Sequence, residues 1–442
     1  PIVCSAMAPD SEPAGSPARI SRRRVDELRD LVIPVGAKGV PLDTHGMTVR
    51  QLSATGRHVL RGEFPMPVAV LRESQVNRNI TAMQSYCDTR GVSLCPHGKT
   101  TLAPQLFQRQ IEAGAWGVTA ATPAHLRMYR HFGVSRILYA NQLVEPGPIR
   151  WLAAELSNDP DFEFYCLVDS VAGVEILSDG LREARCRRPV DVLVEIGHPG
   201  ARCGVRDMSQ ALDVARAVDA SDMVTLVGVE CFEGLPPMTA DLPSVDEFLC
   251  TTAVLATEMM THTSLADRGS VILTAGGSAY FDRVVDALTE RQSFPVPVHV
   301  VLRSGCYVTQ DGGFYAETSP LQGRATTPTL ANALELWAAV LSRPEPDFLV
   351  TSLGKRDCSY DQRPPVPRWR FDGQRVTDLT GAETVALSDQ HAHLRVPPDD
   401  RTRVGDLVGF VVSHPCTTFD KWSLLPVVDD DHRMVDIVVT AF

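Results

Sequence analysis

Between Val92 and Leu302 the chain repeats one pattern eight times: a short β-branched or apolar run, followed by a stretch of helical spacing or a turn. The runs are Val92–Cys95, Gly117–Thr119, Ile137–Ala140, Glu163–Val168, Val190–Glu195, Val224–Glu230, Val271–Thr274 and Val298–Leu302. Segments such as Ala124–Phe132 and Val245–Met259 carry the helical spacing between them. Strands that read as near-continuous apolar runs are covered on both faces, which is the signature of a parallel sheet with helical crossovers. Eight such units predict an α/β fold, a (β/α)8 TIM-like barrel. An open doubly wound sheet fits less well, because no GxGxxG opens a helix after a strand.

Outside that region the texture changes. Residues 1–18 are rich in Pro, Ser, Ala and Gly and read as a disordered arm. Ile20–Leu31 (ISRRRVDELRDL) reads as a short basic helix with a solvated face. We assign 19–72 to an N-terminal segment packing with a second domain, to which Val68–Leu71 also belongs. The barrel then spans 73–302. From 303 to 442 prolines cluster (Pro344, Pro346, Pro364, Pro365, Pro367) and short strands recur, at Leu394–Val396, Leu407–Val412 and Val435–Val439. This predicts a C-terminal β-rich domain, with one helical exception expected at Thr329–Val340.

Lys plus Arg is 42 and Asp plus Glu is 54, a net charge of -12. So acidic a chain is a poor partner for nucleic acid or an anionic membrane. No apolar run approaches the roughly 20 residues that span a bilayer. The 11 cysteines are scattered and never form CxxC, which points to reduced thiols and a cytoplasmic protein rather than a disulfide framework.

Four stretches carry chemistry. In Leu94-Cys95-Pro96-His97-Gly98-Lys99-Thr100-Thr101 a lysine follows a buried strand, at the mouth where barrels place catalysis. Burial there would favour a neutral amine able to form an imine, although most lysines are solvated surface groups. Ala275-Gly276-Gly277-Ser278 follows the seventh strand and Arg303-Ser304-Gly305-Cys306-Tyr307 the eighth. Backbone amides in such loops bind phosphate in many barrels, and a plain glycine turn is the alternative. In Ser413-His414-Pro415-Cys416, residues i and i+2 of an extended segment would face one site, and imidazole with thiolate suits zinc. An isolated HxC is more often a core cysteine beside an incidental histidine. Arg202, flanked by glycines after the fifth strand, reaches an anionic oxygen or is a surface arginine.

Taken together, these elements resemble the fold-type III pyridoxal-phosphate enzymes, the group of D-serine dehydratases, D-threonine aldolases and alanine racemases. Pro96-His97-Gly98-Lys99-Thr100 looks like that family's cofactor-lysine motif, and Ala140-Asn141-Gln142 and Asp169-Ser170 resemble its pairs after the third and fourth strands. Arg202-Cys203-Gly204-Val205 looks like the segment whose arginine meets the cofactor's phenolic oxygen. Gly354-Lys355-Arg356-Asp357 and Phe419-Asp420-Lys421-Trp422 are similar to the bacterial amino-acid deaminase subgroup. The resemblance implies pyridoxal 5'-phosphate on Lys99, contacted by His97, Asn141, Arg202, Glu230, Gly276, Gly277, Ser278, Cys306 and Tyr307. It implies a divalent metal, zinc by preference, on His414 and Cys416, and a homodimer. Expected activity is lyase action on a D-3-hydroxy amino acid: dehydration to a keto acid and ammonia first, retro-aldol cleavage second, racemisation third. In the resembling aldolases the second metal ligand is typically Asp, so Cys416 favours dehydration. Two positions depart from the pattern. Thr101 stands where many members have His, and Phe232 where many have Tyr, which leaves Glu230 as the expected partner of the pyridine nitrogen.

Overall fold

In the computed structural model of the chain, residues 16–234, 242–322 and 329–442 are described. Their strands form two sheets. β1 (Val68–Arg72) belongs to the second. The first contains β2 (Ser93–Leu94), β3 (Val118–Ala120), β4 (Arg136–Gln142), β5 (Glu163–Val168), β6 (Val190–Ile196), β7 (Val224–Cys231), β8 (Val271–Ala275) and β9 (Val298–Leu302). All eight run parallel in the order β2-β9-β8-β7-β6-β5-β4-β3. The ends meet: Trp116 N donates to Leu94 O at 2.7 Å and Thr119 N to Pro96 O at 2.9 Å. The sheet therefore closes into the expected barrel. Its interior is plugged by Cys95, Trp116, Leu138, Tyr165, Leu167, Leu193, Val227 and Val301, so chemistry is confined to the rim.

Every expected barrel strand is present. β2 is the shortest because Pro96 lacks an N–H and His97-Gly98 turn the chain into a single 3-10 turn at Gly98–Thr100. The helices Pro123–His131 and Leu242–His262 match the helical spacing read from the sequence. The basic stretch forms a helix at Arg22–Asp26 and a 3-10 turn at Glu27–Asp30. Its arginines are spent on Glu112, Glu27 and the carbonyl of His131, as befits a solvated face. Residues 16–18 lie against the barrel: Ala18 is buried and its N–H donates to Ala115 O at 3.2 Å. Residues 16–18 therefore depart from the arm expected over 1–18, and residues 1–15 lie outside the described residues.

The second sheet continues with β10 (Leu334–Glu345), β11 (Phe348–Thr351), β12 (Arg363–Phe371), β13 (Val376–Asp378), β14 (Glu383–Leu387), β15 (Ala392–Arg395), β16 (Leu407–Ser413), β17 (Leu424–Val428) and β18 (Met434–Val439). β1 joins it, antiparallel to β10 and parallel to β17. Val49, Leu52, Val59 and Phe64 pack on its face with Trp337, Phe371 and Ile437. The helix expected at Thr329–Val340 is contradicted, since Leu334–Glu345 is a strand between β1 and β16. Its Leu, Glu and Ala residues favour helix locally, but two flanking strands satisfy its backbone and bury both faces, which overrides propensity. All described cysteines are free thiols, and no described helix is long and apolar enough to cross a membrane.

Glu335 of β10 lies buried among polar partners. It accepts from Arg72 at 3.1 Å, His432 Nε2 lies 3.0 Å away, and Trp337 Nε1 donates to it at 2.9 Å. Burial alone would raise its carboxyl pKa; the His432 hydrogen bond and the His432 and Arg72 charges outweigh that and lower it. Glu335→Ala leaves Arg72 and His432 without their shared acceptor, and should cost about 3–5 kcal/mol in urea unfolding at pH 7. Because the folded carboxyl lies below its usual 4.5, this stability should be present above that pH and fade as pH falls through the folded value.

Candidate active site

The ends of all eight barrel strands and the end of β16 converge on a cavity of 320 Å³, lined among others by Lys99, Asn141, Glu195, Arg202, Glu230, Ser278, Arg303, His414 and Cys416. Lys99 projects from the turn after β2 and lines the cavity as an exposed side chain, so the burial expected for it is not found. A Cβ on Gly98 would sit 2.3 Å from the Tyr129 hydroxyl, so only glycine lets the turn press against the Pro123–His131 helix and aim the lysine inward. Gly305 plays the same part opposite, where a Cβ would lie 2.6 Å from Thr100 Oγ1.

The cavity floor is charged and built from buried side chains. Arg303, just beyond β9, pairs with Glu230 of β7, and both are buried. Arg303 also donates to Cys231 O at 2.9 Å. Glu230 Oε2, Arg303 Nε and Nη1, and His97 Nδ1 are buried without a protein partner. Orphaned polar atoms of this kind are costly unless a ligand or water satisfies them. Burial, then the charge of Lys99, holds the His97 imidazole well below its usual pKa, so it is neutral. Glu195 of β6 lies beside Glu230 in register and accepts from Gln142 Nε2 at 2.5 Å. Burial and next the Glu230 carboxylate push its carboxyl up to about 7.

The remaining sites predicted from sequence fall as follows. Asn141 lines the rim, its Nδ2 donating to Ala121 O at 3.3 Å. Arg202 is exposed, with its guanidinium 4.9 Å from the Phe232 ring centre. The amides of Gly276 and Gly277 point at one spot and donate to the two carboxylate oxygens of Glu233, at 3.0 and 2.6 Å. They are organised for an anion, and a carboxylate from the chain now holds that seat. Ser278 and Cys306 line the cavity. Tyr307 does not: it is buried, and its hydroxyl accepts from Gln110 at 2.8 Å.

His414 and Cys416 come together by a different geometry from the one expected. β16 ends at Ser413, His414 has a left-handed backbone (φ 82), and Cys416 opens a helical turn, Cys416–Phe419. The i, i+2 rule for extended chain therefore does not apply; a positive φ followed by Pro415 re-aims the pair. Asp311 and Asp361 hold that backbone in place: His414 N donates to Asp311 Oδ2 at 3.2 Å, and His414 Nδ1 lies 2.6 Å from Asp361 Oδ2. Cys416 Sγ lies 3.4 Å from both Cys306 Sγ and Thr100 Oγ1. Hydrogen bonds with Cys306 and His414 hold the Cys416 thiol well below its usual pKa against burial. The Cys416 hydrogen bond, assisted by Asp361, raises His414 to about 9.

Sequence reasoning missed Arg303, Glu195, Glu233 and Asp361 as site residues. Glu195 and Arg303 had a usable signal, since each is a charged residue at the end of an apolar barrel strand. Asp361 had none, because its pairing with His414 spans 53 residues. Among the described residues, one group of three metal-capable donors lies within 4.8 Å of one another: Asp169, Glu195 and Cys203. There Asp169 already accepts from Gly204 N and Glu195 from Gln142. A wider groove of 970 Å³ on the β-rich side is lined by Lys38, Lys355, Arg356 and Lys421. It contains none of the orphaned buried atoms among the described residues, which sets the smaller cavity apart.

Residues 333–428 match the family model described as a putative serine dehydratase domain. The chain is 26% identical over 371 residues to D-threonine aldolase of Arthrobacter sp, covering 82% of this chain and 89% of that one. The crystal structure of D-threonine aldolase from Filomicrobium marinum superposes with a TM-score of 0.72 at 22% identity, over 86% of this chain and 95% of that one. A cysteine-to-alanine variant of D-threo-3-hydroxyaspartate dehydratase, in its metal-free form, superposes with a TM-score of 0.68 at 21% identity, over 86% and 98%.

Because the folded Glu195 carboxyl is held near 7 against an ordinary 4.5, the folded state binds this proton more tightly than the unfolded chain does. Stability is then fully present below about 4.5 and is lost as pH rises through 7. Glu195→Gln should stabilise the cofactor-free protein to urea by roughly 1–3 kcal/mol at pH 8 and have little effect at pH 4.5. Equal effects at both pH values would contradict the assignment.

Proposed function

We propose, from the premise that this chain belongs to the fold-type III pyridoxal-phosphate enzymes, that it is a lyase of D-3-hydroxy amino acids whose main reaction is loss of water to a keto acid and ammonia. One observation carries the reading. A lysine on the barrel rim and a His/Cys pair from the β-rich side line the same 320 Å³ cavity. We assign 73–302 to the cofactor barrel, and 303–442 with the 19–72 segment to the domain bearing the metal pair.

The residues present fit the cofactor. Lys99 offers the amine, and Glu230 Oε2 is a buried carboxylate oxygen with no protein partner, suited to a pyridine N–H. Ser278 and the backbone at Gly305–Cys306 suit a phosphate, which could use the Gly276 and Gly277 amides only by displacing Glu233, with His97, Asn141 and Arg202 on the rim. Bound on Lys99, pyridoxal phosphate supplies an electron sink for the substrate's α-carbon. Lys99 Nζ would be the base placed to take the α-proton. Buried Glu230 and Arg303 keep the floor free of bulk water, where their charges act at low dielectric.

The metal pair also fits. His414 has its Nδ1 on Asp361, which frees Nε2 for a metal and orients the ring, while Cys416 supplies a sulfur. A divalent metal there, zinc by the softness of the donors, would polarise the substrate's β-hydroxyl as a leaving group. That a dehydratase of this fold has been described in metal-free form supports a metal in the reaction. The second reading is retro-aldol cleavage, favoured by the length of the match to D-threonine aldolase. We further propose a homodimer in which each β-rich domain covers the partner's barrel mouth, in a reducing cytoplasm.

Lys99→Ala should lose both the visible absorbance of lysine-bound cofactor and all turnover. Gly277→Asp brings a charge to the anion seat and a Cβ 2.7 Å from Phe232, so cofactor affinity should fall steeply. Turnover of D-serine, D-threonine and D-3-hydroxyaspartate should yield keto acid; glycine plus aldehyde would make the aldolase reading correct. A chelator should abolish turnover and leave the cofactor absorbance intact. Sedimentation of an active enzyme as a monomer would overturn the dimer.

A further inference from the structure

We propose that Cys306 is a third protein ligand of the metal, so that the site is a Cys2His centre bridging barrel and β-rich domain. The inference rests on the metal reading above and extends it to a residue otherwise placed with the phosphate loop.

The argument starts from number. Two protein ligands hold a catalytic zinc loosely, whereas such sites characteristically have three and leave the fourth position open. His414 and Cys416 supply two. The nearest sulfur to Cys416 belongs to Cys306, with the two Sγ atoms 3.4 Å apart. Zn–S bonds of about 2.3 Å at tetrahedral angles place two sulfurs about 3.8 Å apart. The observed separation is within a few tenths of an ångström of that and far from the roughly 2.05 Å of a disulfide.

Placement agrees with number. Both sulfurs line the substrate cavity, together with His414. Thr100 Oγ1 lies 3.4 Å from Cys416 Sγ and 4.0 Å from Cys306 Sγ. Since Thr100 adjoins Lys99, a metal on these sulfurs stands beside the cofactor lysine, where a substrate's β-oxygen can reach the open position. The three donors do not yet lie within 4.8 Å of one another, so binding draws the imidazole and Cys306 together around the ion. Asp361 fixes only one nitrogen of His414, and the ring can pivot about that bond.

Two consequences distinguish this centre from a His–Cys pair. Two thiolates neutralise a divalent ion, and they select zinc over harder manganese. Loop 303–307, which follows β9 at the barrel rim, and the turn Cys416–Phe419, which follows β16, become tied through the metal.

The test is X-ray absorption at the zinc edge on full-length, cofactor-loaded enzyme carrying one zinc. Wild type should show two sulfurs at about 2.3 Å, and Cys306→Ser and Cys416→Ser one each. Zinc affinity of Cys306→Ser should fall by more than the roughly 10–100-fold that loss of an outer-shell partner costs, with lysine-bound cofactor absorbance retained. If Cys306→Ser does not fold, the counts in wild type and Cys416→Ser decide alone, two and one being required. A single sulfur in wild type that disappears in Cys416→Ser overturns the role of Cys306 and leaves the His414–Cys416 site standing. No sulfur, or no bound zinc, removes both.

Discussion

The ion pair of Arg303 with Glu230 sets the terms for the rest of the barrel mouth. Two opposite charges buried at strand ends are tolerable only while paired, and removing either leaves an expensive charge in low dielectric. Each has its own further demand: Glu230 keeps one oxygen and Arg303 two nitrogens without a partner. The neighbouring Glu195 feels the same field and holds its proton to about 7. A floor of this kind calls for a polar ligand or water to satisfy these atoms. The apolar plug beneath, from Cys95 to Val301, keeps that ligand at the rim, within reach of Lys99.

The second constraint is where the β-rich domain touches the barrel. His414 accepts a backbone conformation that disfavours side chains, and such strain persists only where surroundings over-determine it. Here they do, since Asp311 holds its N–H and Asp361 its ring. Strain spent at this point turns the end of β16 towards Cys306 and Thr100, which belong to the barrel rim. The cavity is thus built from both sheets, and neither sheet alone contains its chemistry.

This division explains what could be read from sequence. Barrel strands were legible because their periodicity is local, and Lys99, His97 and Ser278 because each follows such a strand. Residues 334–340, part of the helix expected at Thr329–Val340, were misread because a central strand rich in Leu, Glu and Ala is helical by local preference, and only its neighbours β1 and β16 decide otherwise. The HxC pair was found for its chemistry but given the wrong backbone. Asp361, Glu233 and the approach of Cys306 to Cys416 were beyond reach, since each is a contact between segments remote in sequence that no local pattern encodes. Glu230 was legible as a carboxylate at a strand end, yet its pairing with Arg303 was not.

Glu233 adds a last step to the account of the anion seat. A loop whose amides converge without a partner would be unsatisfied, and in a buried position that is costly. By lending its carboxylate, Glu233 keeps Gly276 and Gly277 in the converging arrangement. Burial opposes its own charge, raising its pKa, while the hydrogen bonds from its own and the two glycine amides act the other way. The loop is therefore held in order by a group of the chain itself. The same carboxylate would repel a dianion placed beside it.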